Sequence, residues 1–197
     1  MRFSRIEIQH LLRAWVFVSL AFAIALVGFR LDARFVLAIA FAAITAGIGF
    51  LGHELMHKYV AQKYGCWAEF RANDFMLGIM LLLSFFGFIF AAPGGVYIAN
   101  HVTLRKNGII SLAGPLTNII LGVAFAALSF VLPPVLRPLG TYGMIINFWL
   151  GFFNLLPLPG IDGSKVLAWN KWVYALALLG SMVLAFGAGI VSARFAA

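Results

Sequence analysis

Apolar runs of membrane-spanning length dominate this chain and leave little room for any other architecture. They extend roughly from Ala14 to Phe29, Phe35 to Val60, Ile109 to Leu132, Tyr142 to Leu156 and Trp172 to Val191. As helices rising 1.5 Å per residue, such runs cross most or all of a hydrocarbon core about 30 Å thick. Of the 197 residues, 63% are apolar and 10% charged, too few charges to keep a water-facing surface dispersed. The expected fold is an all-α polytopic membrane protein with about five transmembrane helices. The formal charge of +8 comes from basic residues placed singly at the ends of the apolar runs. They read as topology signals and headgroup contacts rather than as a stripe for nucleic acid, which is excluded as a partner.

A sixth stretch, Phe75 to Ala92, is long enough to span but runs into Pro93-Gly94-Gly95 and then Val96-Tyr97-Ile98, which has strand character. Ahead of the first span, Ser4 and Glu7 have capping-box spacing, and Arg2, Arg5, His10 and Arg13 interrupt the apolar pattern. Residues 1–13 are therefore expected as an interfacial helix on the bilayer surface rather than a cleavable signal. Cys66 is the single cysteine, so neither an intrachain disulfide nor a multi-cysteine metal site is possible. With no long polar stretch and no repeat, residues 1–197 form one membrane-embedded domain.

His53-Glu54-Leu55-Met56-His57 carries the chemistry. On a helix, residues four apart share a face, so His53 and His57 can direct two imidazoles at one metal ion with Glu54 beside them. Chance placement of three ionisable residues near the end of an apolar helix is disfavoured, since each costs roughly 2.5–3.5 kcal/mol at the bilayer centre. Thr45 and Gly49 lie on the same stripe, small enough to admit a neighbouring backbone.

A catalytic zinc site takes three protein ligands and keeps one position open. After the motif the acidic residues are Glu69, Asp74 and Asp162, and the sole later histidine is His101. Val60 and Lys63 stand where a metzincin needs glycine and histidine. Asp162 leads. It ends Asn154-Leu155-Leu156-Pro157-Leu158-Pro159-Gly160-Ile161-Asp162-Gly163, where two prolines and a glycine break the helix. The alternative is that Asp162 only turns the chain or caps the next helix. His101, in a polar stretch with Asn100 and Thr103, reads as a solvated loop residue and not a fourth ligand.

HELMH, then Ala113-Gly114-Pro115-Leu116-Thr117-Asn118, then Asn154 through Gly163, together resemble the HExxH, GPxxN and NxxPxxxxDG motifs of the site-2 protease family. The resemblance covers about Phe35 to Gly163, the expected catalytic core, and Phe3 to Ala23 is similar to the start of archaeal members. It implies that His53, His57 and Asp162 bind Zn2+, that Glu54 activates water, and that Asn154 holds the substrate backbone or stabilises the oxyanion. For Asn118 it leaves two roles. One is contact with substrate; the other is a packing motif in which Gly114 and Pro115 start a helix and Asn118 bonds across to a neighbour. The implied reaction is regulated intramembrane proteolysis, with transmembrane proteins as substrates and the lipid bilayer as solvent.

Topology supplies a constraint of its own. Phe35 to Gly52 rises about 27 Å, so the HELMH motif lies near the far face of the second span. Asp162 reaches that depth only if residues 75–106 enter the membrane and return. That re-entrant path also places Lys58, Lys63, Arg71, Arg105, Lys106, Lys165 and Lys171 on the cytoplasmic side with the N-terminus and the active site. Gly94, Gly95 and Val96, in the stretch that runs on to Ile98, would then offer a strand edge to an extended substrate; the alternative is that Pro93-Gly94-Gly95 merely turns the chain. The competing classes are a catalytically inactive scaffold, which has no need of Glu54, and a zinc transporter, which would carry ionisable residues through the outer half of the membrane.

Overall fold

The computed structural model describes residues 1–89, 93–100 and 102–196, with side chains described through residue 190. His101, and Phe90 to Ala92 of the sixth apolar stretch, lie outside the described residues. Helix α1 (Arg5–Val27) opens with Ser4 accepting a hydrogen bond from the Glu7 N–H at 3.1 Å and closes at Gly28, whose φ of 73° suits glycine. Nothing between these ends breaks the helix. The expected surface helix over residues 1–13 is thus corrected: its turns are the first turns of α1 and pack against protein. Glu7 is fully buried, accepts from the Phe70 N–H at 3.0 Å and pairs with Lys58, which is 1% exposed. His10 Nδ1 accepts from the Ala72 N–H at 3.0 Å. Lys58 is thus half of an internal ion pair, with its ammonium 4.0 Å from the Phe3 ring.

The second apolar rod comprises α2 (Ala33–Ala42), a π-helical turn (Ala43–Gly47) and α3 (Ile48–Lys63). The sequence AITAG carries no proline, and partners from other helices contact the widened turn. Trp15 Nε1 donates to Ala43 O at 3.1 Å, and its indole fills the space a Cβ on Gly47 would need. Wide turns of this kind concentrate at functional sites.

Strand β1 (Trp67–Ala72), unforeseen in the sequence, pairs antiparallel with β2 (Gly94–Ala99), Ala72 opposite Gly94 and Phe70 opposite Val96. Between them lies α4 (Asp74–Ser84), whose 11 residues are too short to span. The Asn73 N–H donates to Pro93 O at 2.9 Å, so the chain leaves and returns at one place. Ser4 Oγ donates to Glu69 of β1, and this bond, helped by Arg71 Nη2 at 2.7 Å, holds the Glu69 carboxyl below its ordinary pKa of 4.5.

Helices α5 (Leu104–Val131), α6 (Arg137–Asn154), α7 (Asp162–Trp169) and α8 (Lys171–Ala196) complete the chain. Pro115 sits inside α5 rather than starting a helix, and Thr103 caps α5 by accepting from the Lys106 N–H. Among the described residues four helices are long and apolar enough to cross a membrane: α1, the Ala33–Lys63 rod, α5 and α8. The fifth expected span forms as α6. It falls outside that set because Arg137, Pro138, Asn147 and Asn154 dilute its apolar content. Large apolar side chains such as Phe130, Leu176 and Val183 point outward, as lipid contact requires.

Candidate metal centre and active site

Three ligand atoms converge where α3, α5 and α7 meet. His53 Nε2 lies 2.9 Å from His57 Nε2 and 3.2 Å from Asp162 Oδ2, and His57 Nε2 lies 2.9 Å from the same oxygen. All three residues are buried. Tetrahedral ligands about 2.0–2.1 Å from a zinc ion stand near 3.3 Å apart, so a small contraction of this cluster's natural spacing is all the geometry shows.

The tautomers of both histidines follow from their other ring nitrogens. His53 Nδ1 is 2.7 Å from Asn118 Oδ1, and His57 Nδ1 is 2.7 Å from Ile110 O. Both partners are carbonyl oxygens, which only accept, so each Nδ1 donates and each neutral ring leaves a bare lone pair at Nε2. With both rings neutral, as metal ligation requires, two lone pairs and a carboxylate oxygen face one another at about 3 Å. A cation between them resolves that repulsion, and the N,N,O donor set suits zinc. The residues therefore fit the metal that the sequence motif implies.

Helix α5 makes the convergence possible. A Cβ on Gly114 would stand 2.7 Å from His53 Nε2 and closer still to His57, so glycine alone lets α5 approach the imidazoles. Pro115 has no N–H to give the carbonyl one turn back, which loosens the ladder beside Ile110, the carbonyl His57 uses. Asn118 is fully buried and bonds across to His53, Gly49 O at 3.0 Å and Asn147 at 3.2 Å. Asn118 thus stands behind His53 through its Oδ1 and also lines the cavity on which the cluster opens.

Asp162 is the first residue of α7, with Ile161 at the cap position, so it directs a carboxylate into the site instead of capping the helix. Its Oδ1 lies 3.5 Å from Lys165 Nζ, leaving Oδ2 for the histidines. Sequence reasoning passed over Lys165, although the Asp162–Lys165 spacing of three on a helix was readable. It also missed Asn147, whose spacing of seven from Asn154 puts two asparagines on one face of an apolar helix.

The cluster opens on a cavity of about 610 Å3 whose walls include Glu54, Asn154, Trp149 and the strand residues Gly94, Gly95 and Val96. Glu54 Oε2 is buried and has no hydrogen-bond partner among the described residues, a carboxylate oxygen beside the metal ligands. Asn154 Nδ2 donates to Leu150 O at 2.9 Å. Gly94 is required by strand pairing, since a Cβ there would meet the Arg71 backbone, whereas the space around Gly95 is open. Among the described residues β2 pairs only with β1, so its other edge is unpartnered. A larger depression of about 860 Å3 between Met1–Ser4 and Gly65–Glu69 holds no metal-ligating cluster among the described residues.

Three curated proteins named as putative zinc metalloproteases align with the chain. MJ0611 of Methanocaldococcus jannaschii is 47% identical over 148 residues, which is 71% of this chain and 77% of that protein. YwhC of Bacillus subtilis is 28% identical over 63% of this chain and 66% of its own length. Rip2 of Mycolicibacterium smegmatis is 29% identical over 58% of this chain and 51% of its own length. No protein-family profile matches the chain, and no solved structure does. The fold and the site define a membrane protein of metalloprotease type. The chain belongs to the site-2 protease family of zinc metalloproteases.

Proposed function

We propose that this protein hydrolyses peptide bonds within or near the transmembrane segments of substrate proteins, with zinc held by His53, His57 and Asp162. The observation that carries the reading is the convergence of three lone-pair donors beside the unpartnered Glu54 carboxylate on the wall of an apolar cavity. When bound, the ion supplies Lewis acidity that polarises a peptide carbonyl and acidifies water. Glu54 takes the proton from the attacking water and returns it to the leaving amine. Asn154 turns its amide from Leu150 O toward the scissile group, holding the substrate backbone or the developing oxyanion.

A helical peptide bond is shielded by its own hydrogen bonds, so the substrate unwinds before it is cut. The free edge of β2 supports binding of the unwound stretch as a third strand, along Gly94, Gly95 and Val96. The N-terminus and the site face the cytoplasm in this reading, in accord with the basic residues near the site's end of the helices. Asp162→Ala removes one of three ligands: bound zinc falls from about one per chain to near none after dialysis, and cleavage disappears with it. Elemental analysis of the purified variant reads this directly, and zinc retained at the wild-type ratio would remove Asp162 from the ligand set.

A further inference from the structure

Asn147 lies in the middle of α6, is fully buried and touches neither the cavity nor a metal ligand. A leucine, with the same branching, would serve an apolar helix better, since a buried amide costs free energy unless every group is bonded. Every group is bonded. Asn147 Nδ2 donates to Gly143 O at 2.9 Å and to Thr45 O, in the π-helical turn, at 3.4 Å. Both are carbonyls, so the amide cannot flip, and Asn147 Oδ1 must accept.

Its donor is Asn118 Nδ2 at 3.2 Å, whose second hydrogen goes to Gly49 O at 3.0 Å. Gly49 has no side chain because a Cβ there would overlap Asn147 Oδ1. With both its N–H groups committed, Asn118 presents Oδ1 to His53 Nδ1 at 2.7 Å. The His53 proton is then fixed on Nδ1 and the Nε2 lone pair on the metal side. His57 gets the same treatment from a backbone carbonyl, which cannot turn round. His53 depends on a side-chain amide, which can, and Asn147 is what stops it.

We propose that Asn147 is a positioning residue of the metal centre, fixing the tautomer of His53 through Asn118 and so setting metal affinity. This rests on the zinc reading above. Groups of this kind, one step removed from a ligand, typically change metal affinity 10–100-fold when lost.

The test titrates metal-stripped wild type, Asn147→Leu and Asn147→Asp with Co2+ in detergent, scaling each to the folded fraction from circular dichroism. Asn147→Leu weakens Co2+ binding by about 10–100-fold, whereas Asn147→Asp, which as a protonated acid keeps the acceptor toward Asn118, stays within about tenfold of wild type and tighter than leucine. A residue that only packs the core would change the folded fraction and leave the Co2+ affinity of the folded fraction unmoved. Wild-type affinity in folded Asn147→Leu, or equal weakening in both variants, overturns the inference and leaves the zinc reading standing. Should the leucine variant not fold, Asn147→Ala carries the same expectation. A wild type that binds no Co2+ overturns the zinc reading and this inference together.

Discussion

Glu54→Gln retains its metal and loses cleavage by about 10²–10⁴-fold, the contribution typical of a general base held at a reacting centre. The substitution keeps the volume of the side chain and removes only its ability to accept a proton. Metal binding survives because the three ligand atoms belong to His53, His57 and Asp162, and Glu54 bonds to none of them. Cleavage of a single-span substrate by wild type and variant, with bound zinc measured on the same samples, checks both halves. Turnover by the variant at the wild-type rate would instead fit a chain in which Glu54 has no catalytic task.

Lys58→Met lowers folding stability by about 3–5 kcal/mol, because it strands Glu7 as a buried, unpaired carboxylate. Lys58 follows His57 directly, and its partner Glu7 also accepts the Phe70 N–H, so the pair ties the metal helix to α1 and β1. The double variant Glu7→Gln with Lys58→Met recovers most of the loss, since a neutral amide needs no counter-charge. Denaturant titration of the three variants in detergent measures this. A single-variant loss below about 1 kcal/mol would mean the pair is solvated like a surface bridge.

What the sequence made legible was the chemistry with a local spacing. His53 and His57 sit four apart on a helix, and Asp162 was reached by elimination because few acidic residues follow them. Hydropathy located α1, the α2–α3 rod, α5 and α8. It misread Glu7 and Lys58, which stand 51 residues apart and look like two interfacial charges until the fold brings them together. It likewise split the first turns of α1 from its span, although no residue there breaks a helix. The π-helical turn was invisible because the groups that bond its carbonyls, on Trp15 and Asn147, lie far along the chain. Strand β1 was missed for the same reason: WAEFRA has little strand signal, and its pairing with β2 is non-local. Asn118 was legible as important, but its bond to His53 was not, since it depends on an amide orientation that only the fold sets.

The most direct measurement takes wild-type protein in lipid vesicles with a single-span substrate, determines bound zinc, and maps the cut by mass spectrometry. The account predicts about one zinc per chain, cleavage inside or at the edge of the substrate's apolar segment, loss of cleavage on chelation and its return with Zn2+. Cleavage that persists without metal, or cuts confined to soluble regions far from the span, would contradict it.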